Sequence, residues 1–187
     1  MGKNFDGIDA RMAEWLGEQR MFFVATAPLG GQGHVNLSPK GLDSFALLGP
    51  RSVAYLDLTG SGAETIAHLR ENGRITLMFC AFDGPPKIVR MYGRGRVVEP
   101  QDAGFDELRA KFASRTLARS IIAIELERIA DSCGYGVPLM EFVAERKQLT
   151  DWAERKGPAG VRKYQLEHNR TSLDQLPALR WPEQLPS

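Results

Sequence analysis

Short apolar segments separated by glycine and proline are the feature that most limits how this chain can fold. The segments are rich in Val, Ile, Phe and Tyr, and turn signals such as Gly30-Gly31, Gly49-Pro50 and Pro85-Pro86 lie between them. Such segments are typical of antiparallel strands. Their spacing predicts a small β-barrel. They span residues 21–27, 34–37, 44–48, 53–58, 75–82 and 88–98.

Three amphipathic segments predict helices around this sheet. They cover residues 8–20, 63–71 and 102–114, and Gly73 stands where the second helix needs a C-cap. Residues 120–126 are also apolar. They are continuous enough to predict a strand in the centre of the sheet or against a partner subunit.

The character of the sequence changes at residue 131. The segment DSCGYGVP is a glycine-containing loop, residues 150–156 and 160–168 have the pattern of short helices, and the tail 173–187 is interrupted by prolines. We therefore predict a barrel domain over residues 1–130. A C-terminal extension over residues 131–187 is expected to pack on the same domain or on a dimer.

Charge and composition exclude several classes of function. Lys+Arg 24 against Asp+Glu 23 leaves a net charge of +1, which gives no electrostatic basis for a nucleic-acid partner. No apolar run reaches the roughly 18 residues of a membrane span, and the first residues lack the apolar core of a signal peptide, so we expect a cytoplasmic protein with no membrane partner. Cys80 and Cys133 have no CxxC spacing and the three histidines are scattered. Neither a disulfide scaffold nor a metal site is expected.

The segment NLSPKG at residues 36–41 has the residue types of a small-anion site. Ser38 can donate a hydrogen bond, Lys40 brings a positive charge, and Gly41 lets the backbone come close to a ligand. A solvated Ser-Pro turn with a surface lysine is the alternative interpretation of the same residues.

A second candidate half-site lies in the segment TGSG at residues 59–62, which follows a strand and opens a helix. Backbone N–H groups at a helix start, together with the hydroxyls of Thr59, Ser61 and Thr65, favour an anion. The alternative is that Ser61 or Thr59 only caps the helix. Two independent half-sites, one with a positive charge, make a phosphate-bearing ligand the better interpretation.

The strand at residues 87–96 alternates apolar with basic side chains. Arg90, Arg94 and Arg96 share one face if no bulge intervenes, and one or more of them could contact a ligand. The alternative is a solvent-facing row of cations, with Gly93 and Gly95 marking a bulge.

With these residues in view, the sequence resembles the pyridoxamine 5′-phosphate oxidase-like family of FMN-binding split β-barrel proteins. The resemblance covers about residues 20–100 and is carried by FFVATAPLGGQGHVNLSPKG, VAYLDLTGSGAETIAHLRENGRITLMFCAF and IVRMYGRGRVVEP. It implies a mainly β (α+β) fold, a six-stranded antiparallel split barrel with flanking helices and the C-terminal extension. It also implies a homodimer with an FMN in each of two clefts at the interface. The segments DSCGYGVP, WAERKG and NRTSLDQLPAL look like a subgroup that shares this extension.

Carried over position by position, the resemblance assigns two strands and one turn to the cofactor. The first phosphate-contacting strand matches residues 36–40, the second flavin-contacting strand matches residues 55–58, and the phosphate turn matches residues 61–65. Where the oxidases carry an Arg-Lys pair in that turn, this chain has Gly62, Glu64 and Thr65. The candidate cofactor-binding residues are Asn36, Ser38, Lys40, Gly41, Asp57, Leu58, Ser61, Gly62, Thr65 and Arg90.

The function implied is that of an FMN-dependent oxidoreductase with a small-molecule electron donor or acceptor. The resemblance does not identify the substrate, because the arginine and histidine that bind substrate near the oxidases' C-terminus have no match after Asp131. No catalytic residue is assigned, since the flavin itself carries the hydride. A flavin or haem/tetrapyrrole carrier or sensor without turnover is the alternative from another class.

Overall fold

The computed structural model describes residues 2–113 and 118–180. Within these residues the chain forms eight strands and four helices. The strands are β1 (Asn4–Phe5), β2 (Phe22–Thr26), β3 (Asn36–Lys40), β4 (Phe45–Gly49), β5 (Ser52–Leu58), β6 (Arg74–Cys80), β7 (Ile88–Val98) and β8 (Ala118–Ser132). The helices are α1 (Ala10–Glu18), α2 (Glu64–Asn72), α3 (Phe105–Arg109) and α4 (Gln148–His168).

The strands form one antiparallel sheet in the order β3-β2-β6-β7-β8-β5-β4, with β1 on β8. The two edge strands, β3 and β4, are consecutive in the chain and are not paired with each other. The sheet curls so that Lys40 of β3 reaches Asp57 of β5, with 3.7 Å between Nζ and Oδ1. The predicted mainly β split-barrel fold is confirmed. The predicted number of six strands is wrong, because β1 and every apolar segment, including residues 120–126, join the sheet.

The apolar core lies inside the curled sheet and is closed by α1. Met12 and Leu16 of α1 pack with Phe22, Tyr55 and Phe79, and the Phe22 ring contacts the rings of the other two. Burial of these side chains is the main stabilising contribution, at about 25 cal/mol per Å² of apolar surface removed from water.

The outer face of β8 is covered by the chain itself. Ile122 and Ile124 point into the core, while Ile121 and Ala123 lie under Phe105 in a second cluster on the other face. β8 is therefore a central strand between β7 and β5, as its continuous apolar sequence predicts. The apolar side chains of residues 120–126 are covered within the single chain, and not by a partner subunit.

The predicted helices form with adjusted bounds. Gly73 has φ 70° and caps α2, as predicted. The helix predicted over 102–114 shortens to Phe105–Arg109, with Ser114 outside the described residues. The two predicted C-terminal helices merge into α4 with a break at Gly157, which has φ 65° and precedes Pro158. Trp152 packs edge-on against Tyr164 across this break, with 5.1 Å between ring centroids.

After β8 and residues 133–137, the extension forms an exposed arm, defined as residues 138–147. Its apolar side chains Leu139, Met140, Phe142 and Val143 are 80%, 56%, 49% and 89% exposed. After the arm, α4 and residues 169–180 return to α2. None of the helices in residues 2–113 and 118–180 is long and apolar enough to cross a membrane.

Candidate functional site

A polar cavity of about 320 Å³ opens at the split of the sheet. It lies between β3, the end of β5, the start of α2 and the start of β8. Seven of the ten predicted cofactor-binding residues line it, which brings the two predicted half-sites together. The lining residues are Asn36, Ser38, Lys40, Leu58, Gly60, Ser61, Gly62, Glu64, Thr65 and Arg119.

Two cations on the cavity wall share one buried carboxylate. Arg119 Nε donates to Asp57 Oδ2 at 2.8 Å, and Lys40 Nζ lies 3.7 Å from Asp57 Oδ1. Asp57 is fully buried and also accepts from Ser120 Oγ at 3.2 Å. Burial alone would raise the pKa of Asp57, but the charges of Arg119 and Lys40 and the hydrogen bonds from Arg119 and Ser120 outweigh it. The pKa of Asp57 therefore lies below its ordinary value, and the carboxylate stays ionised.

The first turn of α2 faces the same space without a side-chain cap. The N-cap residue is Ala63, which makes no side-chain cap hydrogen bond. The first N–H groups of a helix lack partners inside the helix and favour an anion. The interpretation of Ser61 or Thr59 as the helix cap is thus wrong, and Ser61 lies on the cavity wall instead.

A hydrogen-bonded network orients the amide of Asn36. Its Nδ2 donates to Thr65 Oγ1 at 3.0 Å and to Thr26 Oγ1 at 3.3 Å, while its Oδ1 accepts from Ser38 Oγ at 2.9 Å. Thr26 in turn contacts Nδ1 of buried His68 at 3.0 Å. Burial lowers the pKa of His68, although Asp174, Glu64, Glu71 and Thr26 oppose the shift, so the imidazole is neutral near pH 7.

Glu64 brings a second carboxylate to the cavity. Its Oε1 accepts from the backbone N–H of Leu173 at 3.2 Å. Lys40 and Arg119 on one side, and Asp57 and Glu64 on the other, sum to no net charge. An anion in this cavity would therefore depend on directed donors and the α2 N-terminus rather than on excess positive charge.

Three predicted cofactor-binding residues do not line this cavity: Asp57, which pairs with two of its wall residues, Gly41 and Arg90. Gly41 lies against the Arg20 carbonyl oxygen and precedes a turn in which Leu42 and Asp43 have positive φ. Arg90 donates from Nη1 to Ser132 Oγ at 3.0 Å, near the start of β7.

The alternating basic strand has the predicted common face, with Arg94 and Arg96 exposed beside Arg90. The pairing of β7 with β8 contains a β-bulge, and its extra residue lies on β8 between Leu126 and Arg128. The alternation of apolar and basic side chains along β7 is therefore unbroken. Arg94 pairs with Glu127 at the surface, as the alternative of a solvent-facing row describes.

The model of the family described as pyridoxamine 5′-phosphate oxidase matches residues 8–133. The chain belongs to the pyridoxamine 5′-phosphate oxidase family. The pyridoxamine 5′-phosphate oxidase family protein ustO of Aspergillus flavus is 41% identical over 193 residues, covering 94% of this chain and 77% of ustO. A match over 94% of the chain must include most of the C-terminal extension, so ustO shares it.

Solved structures support the split-barrel fold of this family member. HupZ of Group A Streptococcus is 22% identical and superposes with a TM-score of 0.53, covering 65% of this chain and 91% of HupZ. A Lactobacillus delbrueckii protein assigned as a pyridoxamine 5′-phosphate oxidase is 16% identical with a TM-score of 0.51, covering 68% and 98% of the two chains.

Sequence reasoning missed three side chains around the cavity of this family member. Arg119 lies within the family match, whereas Gln165 and Asn169 lie beyond it in the extension. The signal for Arg119 was present: Asp57 is the only acidic residue of the apolar strand SVAYLDL, and a buried carboxylate needs a cation. Nothing local marked Gln165 or Asn169, which contact a turn more than a hundred residues away.

Proposed function

We propose that this chain binds FMN and that the cavity at the split holds the FMN phosphate. The observation that carries the proposal is that Lys40 and Arg119 line the same cavity as the first turn of α2, which has no side-chain cap. A phosphate monoester carries between one and two negative charges near pH 7 and has three acceptor oxygens. Lys40, the Ser61 hydroxyl and the α2 amides are the matching donors.

The cavity suits the phosphate end of FMN and not its ring. Apart from Leu58, its wall is made of polar side chains and glycine. The flavin ring would extend out of the cavity and needs apolar cover from elsewhere. We propose that a second copy of the chain supplies this cover in a homodimer. The exposed apolar side chains of the arm support a second copy as the partner.

Bound flavin supplies hydride or electron transfer, so the proposed activity is that of an FMN-dependent oxidoreductase. The chain's own residues would bind and orient the cofactor. Asp57 holds Lys40 and Arg119 in place, and Asn36 holds Ser38 and Thr65. No protein acid or base is required for the hydride step. A small-molecule electron donor or acceptor is the expected partner.

The test is reconstitution of the purified protein with FMN. We expect a protein-bound flavin absorbance spectrum and its bleaching by NADH or NADPH. Protein that takes up no flavin but develops a Soret band with haem would overturn the proposal in favour of the carrier alternative. Bound flavin that no nicotinamide or quinone couple reduces or oxidises would retain the FMN site and overturn the oxidoreductase activity.

A further inference from the structure

We infer that the C-terminal extension is a strap that positions the phosphate-binding turn at residues 59–62. The strap is defined as residues 165–180. The inference rests on the proposed FMN phosphate site and assigns positioning roles to Gln165 and Asn169. Both side chains lie outside the segment that matches the family model.

Two buried amides of the strap contact consecutive residues of the turn. Gln165 Nε2 donates to Thr59 Oγ1 at 2.6 Å, and Asn169 Nδ2 donates to the Gly60 carbonyl oxygen at 2.9 Å. Gln165 is 3% exposed and Asn169 is fully buried. Buried polar groups of this kind are costly unless they are paired, so these hydrogen bonds favour one position of the turn.

The contact to Gly60 also fixes the orientation of the backbone at Ser61, a residue of the cavity wall. A peptide unit is planar, and its carbonyl and N–H point in opposite directions. The Gly60 carbonyl accepts from Asn169 and, at 3.4 Å, from Arg119 Nη1. Holding this oxygen sets the direction of the Ser61 N–H, because both belong to one peptide unit.

The strap is fastened to the core beyond the turn, so it does not depend on the turn for its own position. Arg70 Nε donates to the Ala178 carbonyl at 2.6 Å, and the Arg180 N–H donates to the buried Glu99 carboxylate at 3.1 Å. Ala178 and Leu179 pack against Ala63 and Ile66. The strap thus packs against two backbone elements that face the cavity, namely residues 59–62 and the first turn of α2.

The test compares FMN with riboflavin, which lacks the phosphate, using the full-length apo protein and flavin fluorescence quenching. Gln165→Met and Asn169→Leu keep most of the side-chain volume and remove the donor. Wild-type protein should prefer FMN. In each variant we expect the FMN Kd to rise about three- to tenfold while the riboflavin Kd changes less than about twofold. Lys163→Ala, on the exposed face of α4, is the matched control and should leave both values unchanged.

Each other outcome decides a different claim. An unchanged FMN Kd in both folded variants overturns the strap, and so does an equal loss of FMN and riboflavin, which marks general packing. Wild-type protein that binds neither ligand, or both equally, overturns the phosphate site instead. Melting temperatures measured without flavin establish whether each variant folds. Gln165→Asn keeps the amide but shortens the side chain so that it no longer reaches Thr59, and it replaces any variant that fails to fold.

Discussion

Asp57 organises the charges of the cavity. It lies in an apolar strand, and the interior accepts its carboxylate because Arg119, Lys40 and Ser120 surround it. Removing one partner of such a buried pair costs about 3–5 kcal/mol, because the other charge is left without compensation. Lys40 differs from Arg119 in being the outer cation, since its side chain is 19% exposed. It is therefore the cation that can be removed with the least damage to the fold.

Lys40→Ala should weaken FMN binding without abolishing it. The charge-assisted contact that is lost contributes about 1.5–3 kcal/mol, so we expect the FMN Kd to rise roughly ten- to a hundredfold. Arg119 remains to pair with Asp57. Lys87→Ala is the control, because Lys87 lies over the Trp15 ring, 4.5 Å from its centroid, and lines another cavity. Equal FMN affinity in Lys40→Ala and wild type would show that Lys40 does not contact the phosphate.

Glu64→Gln should strengthen FMN binding. The carboxylate competes with the phosphate for the positive end of α2, and the amide keeps an acceptor for the Leu173 N–H. We expect the FMN Kd to fall about three- to tenfold, measured by flavin fluorescence titration. Glu71→Gln, in the last turn of the same helix, is the control. Weaker FMN binding in Glu64→Gln would contradict a phosphate at this helix start.

His68 should make the fold sensitive to mild acid. Its folded-state pKa is lowered by burial, so the unfolded chain binds the proton more readily. This contribution to stability is present above the ordinary value of 6.5 and is lost as pH falls towards the lower folded pKa. We expect the free energy of unfolding in urea to decrease between about pH 7.5 and about pH 5.5, and to decrease less in His68→Gln.

The exposed His168, which packs on Tyr164, supplies the control for that measurement. His168→Gln should retain the wild-type dependence on pH. Identical pH dependence in His68→Gln and wild type would show that another group is responsible.

At the scale of elements, the pairing of β7 with β8 depends on a glycine. The register shifts between Tyr92 and Gly93, and a Cβ at Gly93 would overlap the Glu125 carbonyl oxygen of β8. Backbone in a central strand cannot move aside cheaply. The sequence marks this position only by the pair Gly93 and Gly95 in an otherwise strand-like segment.

Gly93→Ala should therefore destabilise the protein by about 1–3 kcal/mol, measured as the free energy of unfolding in urea. Gly136→Ala is the matched control, because a Cβ at Gly136 meets no atom within 4 Å. The control should stay within about 0.5 kcal/mol of wild type. Equal stability of the two variants would contradict the close approach of β7 and β8.

At the scale of the whole molecule, the arm is an apolar surface that the single chain leaves exposed. Its four apolar side chains are each about half exposed or more. The proposed homodimer would bury this arm, and the polar cavity at the split needs apolar cover for the flavin ring. We propose that one interface meets both requirements.

The mass in solution should be twice 20.7 kDa at micromolar concentration by light scattering. Leu139→Glu combined with Val143→Glu should shift the protein towards the monomer, since both side chains are at least 80% exposed in the single chain. Leu29→Glu, in the loop between β2 and β3, serves as the comparison. A monomeric wild type would overturn the dimer, and a double variant that stays dimeric would place the interface elsewhere.

The sequence by itself determined every described strand except β1, together with α1, α2 with its Gly73 cap, and the family. Strand periodicity, turn glycines and helix caps are local, because each depends on residues a few positions apart. The two anion half-sites were predicted for the same reason, since residues 36–41 and 59–65 each concentrate their donors in a short segment. The division into residues 1–130 and 131–187 stays a prediction.

Only the tertiary structure decided which distant residues contact the two half-sites. Arg119 reaches Asp57 across 62 positions of sequence, and Gln165 reaches Thr59 across 106. It also decided that Arg90, on a strand with the right residue types, contacts Ser132 and does not line the cavity. Such pairings follow from sheet order and from the return of the extension to α2. Composition and periodicity predict neither the sheet order nor the return of the extension, because contact between distant segments is set by packing of the whole chain.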